Sequence, residues 1–156
     1  MKKVFLYGVL FLMLGAFTAC DNDDNDDKFE YTLIEKKDLP STSVEFLDTH
    51  FAESEVIRVE KKNIVDRDGT LYEVKTKDFF EIDFSEAGEW LSVENEKDLA
   101  IPTTFINANI IAYINENYAG IDVRHIEKEQ TRYEVELTND VDLLFTLEGE
   151  YIGLDK

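Results

Sequence analysis

The chain has a single cysteine, Cys20, among its 156 residues, so it can close no disulfide on itself. It has two histidines, His50 and His125, and they do not stand at a metal-ligand spacing such as four apart. None of Ser41, Ser43, Ser54, Ser85 or Ser92 lies in a nucleophile-elbow context. Carboxylate pairs occur all along the chain, so no one pair is diagnostic of acid–base work. No enzyme, no cofactor and no metal are expected. Basic residues are scarce as well: 16 Lys and Arg stand against 35 Asp and Glu, a net charge of −19. That balance excludes nucleic acid as a partner. No apolar run reaches the roughly 20 residues that a bilayer span requires.

What is present begins with an export signal over residues 1–19. Lys2 and Lys3 form a basic start, Val4 to Phe17 is apolar and uncharged, and Thr18-Ala19 supplies small residues before Cys20. The run Phe17-Thr18-Ala19-Cys20 resembles the bacterial lipobox, with Phe17 where leucine is usual. That resemblance makes Cys20 the lipid attachment site and the mature N-terminus, so the membrane is met only through the lipid. Residues 20–28 form an acidic tether, because Asp21-Asn22-Asp23-Asp24-Asn25-Asp26-Asp27 has nothing to bury. Two readings of it stay open. It is either a spacer, or a run that resembles the surface-export signal of Bacteroidota lipoproteins, so the expected address is an outer-membrane lipoprotein, periplasmic or cell-surface. Loss of the signal removes Lys2, Lys3 and both methionines, leaving 14 basic against 35 acidic residues, net −21.

Residues 29–156 read as one domain made of two repeats, 39–93 and 101–154. Leu39-Pro40-Ser41-Thr42 answers to Ile101-Pro102-Thr103-Thr104, Phe51-Ala52 to Tyr118-Ala119, Val59-Glu60-Lys61 to Ile126-Glu127-Lys128, and Tyr72-Glu73-Val74 to Tyr133-Glu134-Val135. Gly88-Glu89-Trp90-Leu91 answers to Gly149-Glu150-Tyr151-Ile152. The separation is 62 residues at the start, 67 at the helix end and 61 from Tyr72 and Tyr133 onward, which predicts a second helix about a turn longer. Val44, Leu47 and Phe51 form one apolar stripe, and Ile106, Ile110, Tyr113 and Ile114 another. Alternation predicts strands around Ile57–Val59, Tyr72–Val74 and Phe80–Phe84, then around Val123 or Ile126, Tyr133–Leu137 and Leu143–Leu147, with a bulge near Val123. Asp66-Arg67-Asp68-Gly69 resembles the start of a calcium loop but lacks the third acid and the distant Glu, so a hairpin turn is expected. The expected fold is α+β: one continuous antiparallel sheet of about eight strands with two helices on one face, joined through residues 92–100.

This order of motifs, used twice behind a lipoprotein signal, resembles the PepSY-like lipoproteins of the Bacteroidota. Their fold is similar to that of the β-lactamase inhibitory protein. The resemblance covers residues 29–156 and implies a secreted binding or inhibitory role, with no catalytic residues to carry over.

Alternation also predicts a face turned away from the helices. Glu73, Lys75, Phe79, Glu81 and Asp83 point there from the first repeat, and Arg132, Glu134, Glu136, Asp142, Leu144 and Thr146 from the second. Trp90 and Tyr151 sit on the closing strands nearby. The candidate partner-binding set is Phe79, Glu81, Asp83, Trp90, Glu134, Glu136, Asp142, Leu144 and Tyr151, for a basic protein or peptide, as in an inhibitor of an extracellular protein. The competing expectation is an accessory envelope lipoprotein with no dedicated ligand, whose acids only keep it soluble.

Overall fold

The computed structural model describes residues 30–155; the signal, Cys20 and the acidic tether lie outside them. Strands β1 (Tyr31–Leu33), β2 (Val56–Lys62), β3 (Thr70–Thr76), β4 (Phe80–Ser85), β5 (Trp90–Asn95), β6 (Val123–Lys128), β7 (Arg132–Leu137), β8 (Asp142–Thr146) and β9 (Tyr151–Leu154) form one sheet. Their order in space is their order in the chain, and every neighbouring pair is antiparallel. Nine strands exceed the eight expected because the edge strand β1 adds to four in each half.

Period-two alternation gives the sheet its core. Val59, Val74, Ile82, Val93, Ile126, Val135 and Leu143 are direct cross-strand neighbours from β2 to β8, and none is more than 4% exposed. Each such side chain contributes roughly 1.5–3 kcal/mol by leaving water. Helices α1 (Ser41–His50) and α2 (Ala108–Asn117) add Leu47, Ile110 and Ile114 to the same buried cluster. Pro40 caps α1, where its missing N–H leaves nothing unsatisfied, and the Asn107 side chain caps α2 by accepting from Asn109 N at 3.0 Å. Each helix ends on an aromatic: Phe51 N–H donates to Leu47 O, and Tyr118 N–H to Ile114 O.

The second helix is not a turn longer; both have ten residues. The five extra residues lie in the 101–107 lead-in, which carries Phe105 against Phe46 and Trp90. The separation returns from 67 to 61 in the hairpins, since the link from β2 to β3 is longer than that from β6 to β7. The longer link turns at Asp66 to Gly69, with Gly69 N–H donating to Asp66 O and φ of 100° at the glycine. A register shift between Val123 and His125 marks the expected bulge. Among the described residues no helix is long and apolar enough to cross a membrane.

Candidate functional site

Residues of opposite parity to the apolar row form two rows across the other face. The first runs Glu60, Glu73, Asp83, Ser92, Glu127, Glu134, Leu144, and the second Arg58, Lys75, Glu81, Glu94, His125, Glu136, Asp142. Nine of these fourteen positions are acids, and neighbours in a row lie only about 5 Å apart. The face is therefore a strongly negative surface.

In the β2–β4 half the acids are held by cations of the same half. Lys75 Nζ bonds to Glu81, lies 3.0 Å from Glu96 and 3.4 Å from Glu73. Burial works against its charge, but Glu81 and Glu96 outweigh that and raise its pKa. Lys62 pairs with Asp66 and reaches Glu73 at 3.7 Å, while Arg58 pairs with Glu60. Asp83 is left out: its Oδ1 is buried without a hydrogen-bond partner among the described residues. Burial first, then Glu73 and Glu81, push its carboxyl up to about 7 against the pull of Lys62. Glu73, Glu81 and Asp83 each offer an oxygen within 4.8 Å of the others. No sequence spacing signals this group, because only the register of β3 with β4 assembles it.

In the β6–β8 half the cations are fewer. Arg124 takes Glu136, Asp98 at 2.7 Å and Asp140 at 3.1 Å. Arg132 grips Glu129 with two nitrogens and approaches Glu134 only to 3.9 Å. The pKa of Glu134 is raised by burial and then by Asp155 and Glu127; that of Asp142 by burial and then by Glu136 and Asp155. His125 shares its Nε2 with Ser92 Oγ at 3.0 Å. At the β2 end a groove of about 490 Å³ opens between Tyr31 and Asp66 to Asp68, rimmed by Glu30 and Glu60.

The structure brings six of the nine predicted binding residues onto this face: Glu81, Asp83, Glu134, Glu136, Asp142 and Leu144. Leu144 is buried to 8% exposure. Phe79 is not on a strand. It occupies the β3–β4 turn with φ of 67°, 45% exposed, and Lys97 Nζ sits 4.9 Å from its ring centroid. Trp90 and Tyr151 belong to the opposite face. Trp90 stacks on Phe46 and Tyr133, and Tyr151 on Tyr113 of α2 at 4.4 Å. A register shift on each closing strand, at Phe84 paired with Trp90 and Phe145 paired with Tyr151, sets them on that side.

An antiparallel sheet and two helices sharing one buried cluster make this an α+β protein. The family model described as "Putative beta-lactamase-inhibitor-like, PepSY-like" matches residues 70–153, and the chain belongs to that family. It is similar to a solved Bacteroides thetaiotaomicron protein titled "putative calcium-regulated periplasmic protein", with 27% identity over 81% of this chain and 97% of the other, TM-score 0.73. Two Bacteroides vulgatus proteins, both described as periplasmic and one as of the DUF2874 family, share 25% and 28% identity with TM-scores of 0.72. They are matched over 81% of this chain and 98% and 100% of theirs. No curated protein sequence matches the chain.

Proposed function

We propose that this protein is an exported, lipid-anchored, non-enzymatic binding module of the cell envelope that holds a basic segment of a protein or peptide on its acidic sheet face. The periplasmic description of its structural relatives, the lipobox-like Phe17 to Cys20 and the inhibitor-like family support that reading. In it the chain is two tandem units, 39–93 and 101–154, with both helices on the apolar face and the acidic face open. The observation that carries it is the pair of cross-sheet rows in which acids outnumber cations. The exposed aromatics do not carry it, since Phe79, Trp90 and Tyr151 form no single patch. The test is capture from intact cells and culture supernatant by the purified protein. The Glu134→Gln, Glu136→Gln, Asp142→Asn variant should lose the captured partner, and a Glu45→Gln, Glu116→Gln variant of the helices should keep it. Equal capture by all three proteins would leave the accessory envelope role as the better account.

A second reading adds a divalent cation, in line with the description of the first relative as calcium-regulated. Glu73, Glu81 and Asp83 fit it by chemistry: three carboxylates are hard oxygen donors, and Asp83 Oδ1 has no hydrogen-bond partner among the described residues. Lys75 and Lys62 compete for the same acids, so an ion there has to turn Lys75 toward Glu96. Calorimetric titration with calcium should give saturable heat that Asp83→Asn removes; a flat titration of the unaltered protein rejects this reading.

A further inference from the structure

The two halves of the acidic face differ in the cations they carry. Val59 pairs with Val74 as Ile126 pairs with Val135, and Val74 with Ile82 as Val135 with Leu143. By that register Arg58, Glu60 and Lys62 of β2 correspond to His125, Glu127 and Glu129, and Glu73 and Lys75 of β3 to Glu134 and Glu136. Glu81 and Asp83 of β4 correspond to Asp142 and Leu144. On this face each position that holds a cation in the first half holds none in the second: Arg58 becomes His125, Lys62 becomes Glu129, and Lys75 becomes Glu136.

Arg67 of the β2–β3 turn lines a cleft with Glu127 and Glu129 without pairing with either among the described residues, and two further arginines reach the second half already committed. Arg132 is spent on Glu129, and Arg124 on Glu136, Asp98 and Asp140. The side chains of Glu94, Glu127 and Asp142 form no ion pair among the described residues, and Glu134 has only the 3.9 Å approach of Arg132. Glu127 and Glu134 are direct cross-strand partners, so one ammonium or guanidinium can bridge both. The first half shows what such an arrangement accepts, because there the Lys75 ammonium sits among Glu73, Glu81 and Glu96.

We propose that the basic side chains of a protein partner dock on the β5–β8 half of the face, over Glu94, Glu127, Glu134 and Asp142, and not on the lysine-bearing β2–β4 half. The partner supplies to the second half the cations that β2 and β3 supply to the first. This inference rests on the reading of the acidic face as the binding surface. Like charges left side by side repel, and an incoming cation relieves that repulsion without first displacing an internal one.

The test is the fluorescence anisotropy of a short fluorescein-labelled oligolysine peptide titrated with the purified protein, repeated at rising salt. Glu127→Gln with Glu134→Gln should weaken binding about tenfold, and Glu60→Gln with Glu73→Gln by less than about threefold. Circular dichroism checks each fold, and Glu127→Gln alone serves if the double variant melts, since Glu127 forms no ion pair among the described residues. Equal weakening by both pairs, or greater weakening by the β2–β3 pair, overturns the assignment to this half and leaves the face as the binding surface. Intact binding by both pairs, or no binding by the unaltered protein, overturns the surface itself and the inference with it.

Discussion

The hydroxyl of Ser43, fully buried in α1, donates to the carbonyl oxygen of Gly88 at 3.1 Å, tying the first helix to the β4–β5 turn. Gly88 has φ of 82°, and a Cβ there would lie 2.6 Å from Pro40 Cβ and 2.8 Å from Ser43 Oγ. Glycine is required twice over, by the left-handed backbone and by the approach of the helix.

Gly88→Ala should therefore destabilise the fold by about 3 kcal/mol, combining left-handed strain with overpacking against a rigid proline ring. Gly149, with φ of 87°, meets only the side chains of Asn107 and Asn109. Asn109 Cβ is fixed to the helix and Asn107 can turn only by giving up the α2 cap, so Gly149→Ala should cost about as much, roughly 3 kcal/mol. Urea denaturation of both variants checks both losses.

Lys75 is the cation shared by Glu73, Glu81 and Glu96. Replacing it by methionine keeps the stem and leaves partly buried acids facing one another, a loss of about 2 kcal/mol. Lys75→Met with Glu81→Gln should recover part of that loss. A double-mutant cycle on the melting curves shows non-additivity if the pair is coupled.

Stability should fall as pH rises from about 4 to about 7. Unfolded, Asp83 titrates near the ordinary 3.8; folded, it holds its proton up to about 7. Between those values the folded chain binds more protons than the unfolded one, so stability decreases with pH and levels off above 7. Asp83→Asn removes the share due to Asp83, leaving those of Glu81, Glu134 and Asp142. The variant should be more stable than the unaltered protein at pH 8, by about 1–2 kcal/mol after allowance for solvent and Lys62, and should lose that advantage by pH 4. Denaturation curves at the two pH values decide it.

Phe79 and Asp140 hold the same left-handed position in the β3–β4 and β7–β8 turns, with φ of 67° and 62°. Aspartate tolerates that conformation far better than a bulky ring does. Phe79→Asn should thus stabilise the fold by roughly 0.5–1 kcal/mol despite losing the contact with Lys97. If the exposed ring serves the partner, the same change combined with Glu134→Gln lowers capture while the melting temperature does not fall.

Much of the sheet was legible because alternation is a local signal. Tyr72, Val74, Ile82 and Phe84 are buried where period two puts them, and Glu73, Glu81 and Asp83 share the other face. What escaped depends on geometry that no short window holds. One residue of register shift sends Trp90 and Tyr151 to the helix side, and one left-handed residue takes Phe79 off its strand. Ile106 continues the stripe of Ile110 and Ile114 and so reads as helix, yet Pro102 and the Asn107 cap postpone the helix to Ala108. The clustering of Glu73, Glu81 and Asp83, and the exchange of cations between halves, appear only once the strands are laid in register.

Every strand from β2 to β9 pairs with the strand made just before it. A chain that emerges from its N-terminus can thus zip its backbone rung by rung, each new segment finding its template already in place. No early strand waits with a bare edge for a distant mate, which spares the emerging polypeptide an interval of stickiness.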